Sequence, residues 1–148
     1  MDNIETCRRL ANLATEGLRL KNEGKTVEAI DCFERVLRED PIWDHGTAAQ
    51  ELAQCYQSLG DLVTARKYYE NALTQWPDYD IFVHNYAIFL AKNGSPSEAL
   101  PYLRRALANE RSSAKPSCIE WFETLIKNAG CEAGLSPREI EDLLQVST

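Results

Sequence analysis

One motif occurs three times along the chain and restricts its fold more than any other feature. A glycine is followed five residues later by an alanine, and four residues after that by a large apolar or aromatic residue. The three copies are Gly24, Ala29 and Phe33; Gly60, Ala65 and Tyr69; and Gly94, Ala99 and Leu103. Successive glycines lie 36 and then 34 residues apart. A period of this length predicts stacked supersecondary units, because one such unit cannot bury its apolar face alone.

Apolar residues recur at three- and four-residue intervals along nearly the whole chain, which predicts helices and no strands. The predicted helices cover roughly 4–22, 26–39, 46–59, 62–75, 80–92, 96–110, 118–129 and 137–146. The connections between them are short, so neighbouring helices should pack antiparallel.

Local capping signals mark where these helices begin and end. Asp61 is a suitable N-cap, and Ser95 with Glu98 and Ser136 with Glu139 form capping boxes that include a proline. Ser117 to Glu120 predicts a similar start. Left-handed glycines at positions 24, 60 and 94 are expected to end the preceding helices.

Composition excludes several classes of protein. The chain has 148 residues with 44% hydrophobic content, which argues against disorder. Its net charge of −7 argues against a nucleic-acid partner. The sequence contains no apolar run long enough for a membrane span and no secretory signal. Five cysteines without a C-x-x-C pair predict reduced thiols and a cytoplasmic location, with no metal site.

The repeated pattern resembles the tetratricopeptide repeat, a helix–turn–helix unit of about 34 residues. The second copy shows the signature best, with Leu52, Ala53 and Tyr56 followed by Ala65, Tyr69 and Pro77. The family's tryptophan is absent from all three copies, and the third copy has Arg111 in place of the closing proline. The resemblance implies an all-α solenoid, a right-handed superhelix of antiparallel helix pairs with about eight helices. It implies one domain over 1–148, with repeats at approximately 10–43, 46–79 and 80–113 and capping helices at 117–129 and 136–146.

In this family the first helix of each repeat lines a concave groove that usually holds a bound peptide. The helical phase then implies a set of peptide-binding residues: Thr15, Leu18, Asn22, Gln50, Glu51, Gln54, Ile81, His84, Asn85, Ile88 and Lys92. The cationic clamp that chaperone-binding members use for a C-terminal carboxylate is missing, since Glu51 stands where a cation would be needed. An acidic chaperone tail is therefore not the expected ligand.

Two features outside the signature leave alternatives open. The longer turn at Ile42–Gly46 holds Trp43, which either packs over the junction between repeats or contacts a ligand. The final helix, 137–146, either covers the apolar end of the stack or docks on a partner. The first alternative is favoured in both cases.

The sequence predicts a protein–protein interaction adaptor or scaffold that binds a peptide or helix of another protein, with no cofactor. A small chaperone that holds an unfolded client, similar to the three-repeat secretion chaperones, is the alternative. An enzyme is the least favoured class, because His84 with Glu51 is the only pairing that invites acid–base chemistry. Partner identity and oligomeric state do not follow from the sequence.

Overall fold

The computed structural model describes residues 3–146, and these form eight α-helices. The helices are α1 (Asn3–Asn22), α2 (Thr26–Glu39), α3 (Thr47–Ser58), α4 (Leu62–Gln75), α5 (Asp80–Asn93), α6 (Pro96–Ser112), α7 (Ile119–Glu132) and α8 (Pro137–Leu144). The predicted all-α fold is confirmed, and most helix bounds agree with the prediction within two residues. None of the helices in the described part of the chain combines the length and the apolar character needed to cross a bilayer.

Three of the predicted helix starts are confirmed by their hydrogen bonds. Asp61 accepts from the backbone N–H of Thr64 at 3.1 Å. Ser95 and Ser136 each form a complete reciprocal capping box with the glutamate three residues later. These contacts satisfy backbone donors that the first turn of a helix leaves unpaired.

The predicted cap at Ser117 is wrong. α7 begins at Ile119, and its N-cap residue Cys118 makes no side-chain cap hydrogen bond. Instead, a carboxylate oxygen of Glu110 in α6 accepts from the backbone N–H groups of Ser117 and Cys118, at 3.0 and 3.2 Å. Since a carboxylate from another helix satisfies these donors, the local serine is not needed as a cap.

The helix ends agree with the sequence in two repeats and differ in the third. Gly24 and Gly60 have φ of +78° and +83°, the left-handed conformation that terminates a helix. The expectation for Gly94 is wrong, because its φ is −102° and its backbone is extended. The capping box begins at the very next residue, Ser95, so the chain turns directly into α6.

The helices form two compact units, Met1–Pro77 and Asp78–Thr148. In the first unit α1 packs on α2, α2 on α3 and α3 on α4. Its core includes Phe33, Val36 and Leu52, each at most 1% exposed. Ala29 and Ala65 are fully buried, as expected where small side chains allow two helices to approach closely.

In the second unit α5 packs on α6, α6 on α7 and α7 on α8. Ala99 is fully buried, in the position equivalent to Ala29 and Ala65. α8 contacts α7 closely: a Cβ atom placed on Gly130 would lie 2.7 Å from Cγ1 of Ile140. The single-domain organisation expected from the sequence stays a prediction.

Candidate peptide-binding surface

The surface that α1 and α3 share in the first unit contains a pocket of about 230 Å³, called here the α1–α3 pocket. Alanines from both helices face it, and their short side chains leave the space open. The buried ring of Phe33 and the half-buried indole of Trp43 add apolar lining. The residues that line the pocket are Ala11, Ala14, Thr15, Leu18, Phe33, Trp43, Asp44, Thr47, Ala48 and Glu51.

One wall of the pocket comes from the turn Trp43–Gly46, which has an unusual backbone. Asp44 and His45 have φ of 47° and 53°, and Gly46 follows at 102°. Non-glycine residues in this left-handed region each cost about 1–2 kcal/mol. The turn is held by a hydrogen bond from His45 N–H to the Ile42 carbonyl at 3.1 Å, and by one from the Thr47 hydroxyl to the Asp44 carbonyl at 2.9 Å.

Trp43 is the first residue of this turn. Its indole packs against the core of the first unit, as the favoured alternative expected. The same side chain also lines the α1–α3 pocket. Trp43 is therefore both a junction residue and a part of the candidate binding surface.

Three groove residues of the first unit are exposed as expected: Thr15, Asn22 and Leu18, the last at 39%. Thr15 donates its hydroxyl proton to the Ala11 carbonyl at 2.8 Å. Leu18 and Thr15 line the pocket, whereas Asn22 does not.

Glu51 and Gln54 are half-buried and already engaged with α1. The ammonium of Lys21 lies 2.5 Å from the carboxylate of Glu51 and also donates to the side-chain carbonyl of Gln54. This ion pair joins the two helices that border the pocket. It leaves the second carboxylate oxygen of Glu51 without a bond to Lys21.

The expectation that Gln50 presents its amide on the surface is wrong, because the residue is only 3% exposed. Neither of its amide atoms has a hydrogen-bond partner within residues 3–146. α3 packs against α1, α2 and α4 together, so a wider arc of its surface is buried than helical phase alone indicates.

In the second unit, Ile81 (52% exposed) and Lys92 are exposed, and His84, Asn85 and Ile88 are half-buried. His84 differs most from the expectation of a surface residue. Its ring packs edge-on against Phe122 of α7 with ring centroids 5.0 Å apart, and Nδ1 lies 3.8 Å from the Glu110 carboxylate. Its Nε2 atom is buried and has no hydrogen-bond partner in the described part of the chain. α7 therefore covers a side chain that the helical phase of α5 alone left exposed.

Two residues that hold the second unit together were missed at the sequence level. Glu110 binds the backbone before α7, as described above. Arg111 donates to the Leu144 carbonyl at 2.7 Å and pairs with Glu123 at 3.0 Å. The sequence offered one signal for the role of Arg111, because this residue stands where the repeat signature has a proline.

The cysteines of the described structure form no disulfide. All five cysteines are free, and burial raises the pKa of the Cys32 and Cys55 thiols. Within residues 3–146, no group of three or more His, Cys, Asp or Glu side chains is placed to hold a metal ion.

Comparison with known proteins finds a matching family model and similar solved structures. Residues 47–110 match the family model described as YpiA-like, C-terminal tetratricopeptide repeats. Among solved structures, the first TPR of Spaghetti (RPAP3) bound to the HSP90 peptide SRMEEVD is similar, with a TM-score of 0.67 and 18% sequence identity. The match covers 81% of this chain and 94% of that one. No match was found among curated protein sequences. At this level of identity, the structural match concerns the fold.

Proposed function

Because the chain is a tetratricopeptide repeat protein, we propose that it is an interaction adaptor that binds a segment of a partner protein on its α1–α3 surface. The observation that carries the proposal is the α1–α3 pocket. It is lined mainly by apolar side chains, and exposed Thr15 and Leu18 lie at its border. Concave, largely apolar sites with a few polar groups are the usual places for ligand binding.

The peptide bound to the structural neighbour is acidic, with the sequence SRMEEVD. The lining of the α1–α3 pocket includes Asp44 and Glu51 and no basic side chain. We therefore infer that this chain binds a different kind of segment, as the missing cationic clamp already indicated.

We propose binding rather than catalysis as the activity. His84 is the histidine that the sequence offered for acid–base chemistry, and it packs between Glu110 and Phe122. A general base must reach the proton it removes, and the unpaired nitrogen of this ring is buried. The free thiols fit a reducing compartment, and we place the adaptor in the cytoplasm.

The test is a selection of binders from a library of short random peptides displayed on phage, followed by affinity measurements on synthetic peptides. Thr15→Phe adds a ring at the pocket border and should weaken the selected peptides about ten-fold or more, since it competes with burial of an apolar anchor.

Thr74→Phe is the matched control. Thr74 is exposed on α4, and its hydroxyl donates to the Glu70 carbonyl at 2.9 Å, just as Thr15 donates to Ala11. Thr74 does not line the pocket. Equal affinities for wild type and Thr15→Phe, or equal losses in both variants, would place the binding site elsewhere.

A further inference from the structure

We propose that the α1–α3 pocket selects a partner segment in which a large apolar side chain stands next to a lysine or arginine. This inference rests on the proposed function and specifies its ligand. The apolar side chain enters the pocket, and the neighbouring cation pairs with Asp44 at its mouth.

The size and lining of the pocket define the apolar half of this ligand. A volume of about 230 Å³ is smaller than the roughly 300 Å³ at which sites for drug-sized ligands begin, and it suits one large side chain. Ala11, Ala14, Leu18, Phe33 and Trp43 provide apolar contacts. Aliphatic and aromatic anchors gain free energy in proportion to the apolar area they remove from water.

The polar groups of the pocket define the cationic half. Thr15 and Thr47 both donate their hydroxyl protons to backbone carbonyls, so their oxygens face a ligand as acceptors. Asp44 and Glu51 add carboxylates. Apart from the indole N–H of Trp43, the polar side-chain groups of the lining are therefore acceptors. A lining whose polar side chains are mostly acceptors favours a cationic donor in the ligand and disfavours a carboxylate.

Asp44 is the residue best placed to distinguish a basic side chain of the ligand from a neutral or acidic one. Its carboxylate has no ion-pair or hydrogen-bond partner in the described structure, whereas Glu51 is already paired with Lys21. Asp44 also lies in the left-handed turn that lines the pocket, with φ of 47°. Strained backbone of this kind is concentrated at binding and switch sites. A right-handed conformation would direct the same side chain differently, so the turn sets the position of the charge.

Peptides selected by the wild-type protein provide the test. They should share a large apolar residue adjacent to Lys or Arg, and replacing that basic residue with Gln should weaken binding about three-fold, as for an exposed ion pair. Asp44→Asn keeps a residue type that tolerates the left-handed region. It should lower affinity for the basic peptide by a similar factor and leave affinity for the Gln peptide unchanged.

Asp31→Asn is the matched control. Asp31 is exposed on α2 and does not line the pocket, so removing its charge should change neither affinity. Wild type and Asp44→Asn, each measured with the basic peptide and with the Gln peptide, form a double-mutant cycle. Its four affinities isolate the coupling between Asp44 and the peptide cation. This coupling should also diminish as salt concentration rises.

The outcomes separate the two proposals. Selected peptides that Thr15→Phe weakens but that lack a basic neighbour, or that show no coupling to Asp44, overturn the ligand assignment and leave the adaptor function standing. Failure to select any peptide, or selected peptides insensitive to Thr15→Phe, overturns both proposals. A shared basic neighbour coupled to Asp44 supports both.

Discussion

Gly17 in α1 lies against the buried ring of Phe33, and replacing it with alanine should destabilise the protein. A Cβ atom at Gly17 would lie 2.9 Å from Cζ of Phe33, with Cε1 and Cε2 at 3.0 and 3.1 Å. Carbon atoms prefer separations of about 3.5–4.0 Å, so the ring would have to recede by roughly half an ångström. Phe33 is 1% exposed and belongs to the core of the first unit, so a shift of its ring would disturb the packing there.

Two opposing effects set the magnitude of this change. Overpacking a core costs about 1–3 kcal/mol. Replacing glycine with alanine inside a helix stabilises that helix by about 1 kcal/mol. The expected result for Gly17→Ala is therefore a loss of about 1 kcal/mol in the free energy of unfolding.

The assay is urea unfolding followed by far-UV circular dichroism, with Phe33→Leu and the double variant completing a cycle. Leucine does not reach as far as the phenyl ring, so Gly17→Ala should cost less in that background. Since Phe33 also lines the α1–α3 pocket, Gly17→Ala should weaken peptide binding as well. If Gly17→Ala is as stable as wild type, the close contact of α1 with Phe33 does not constrain the helix crossing.

Two further variants test contacts that fix the ends of helices. Asp61→Ala removes the cap on Thr64 and should cost about 1 kcal/mol in urea unfolding, whereas Asp61→Asn should cost less. Hydrogen bonding to Thr64 lowers the pKa of Asp61 in the folded protein. The stabilisation that this cap provides is therefore present above the pKa that Asp61 has in the unfolded chain, and it is lost as pH falls through the lowered pKa of the folded protein. The Asp61→Asn variant should lose this pH dependence. Arg111→Met removes the donors to the carbonyls of Leu144, the last residue of α8, and of Val146, which follows it, and should speed amide exchange in α8 about ten-fold. Unchanged exchange would refute this role of Arg111.

The helices could be predicted because their signals are local. A capping box satisfies donors within one helical turn, and Ser95 with Glu98 contains both partners in four consecutive residues. A left-handed glycine such as Gly24 likewise ends a helix through bonds that span a few residues. Such contacts do not depend on how distant segments pack.

Two of the missed features depend on contacts with a side chain of another helix, and a third is a local backbone conformation. The start of α7 is bound by Glu110 rather than by Ser117, which sequence proximity favoured. His84 is covered by Phe122, which lies 38 positions later in the chain. The left-handed conformation of Asp44 and His45 carries no strong signal, since neither residue requires it.

The sequence alone determined the repeating helical hairpins of this protein, because residue spacing fixes which side chains share a face of a helix. It also indicated that α1 and α3 would carry candidate binding residues. Only the tertiary structure decided which of those residues are accessible and that they border a small pocket. Packing from distant segments buries Gln50, ties Glu51 to Lys21 and brings Asp44 and Trp43 to the pocket wall, and spacing along one helix cannot encode those contacts.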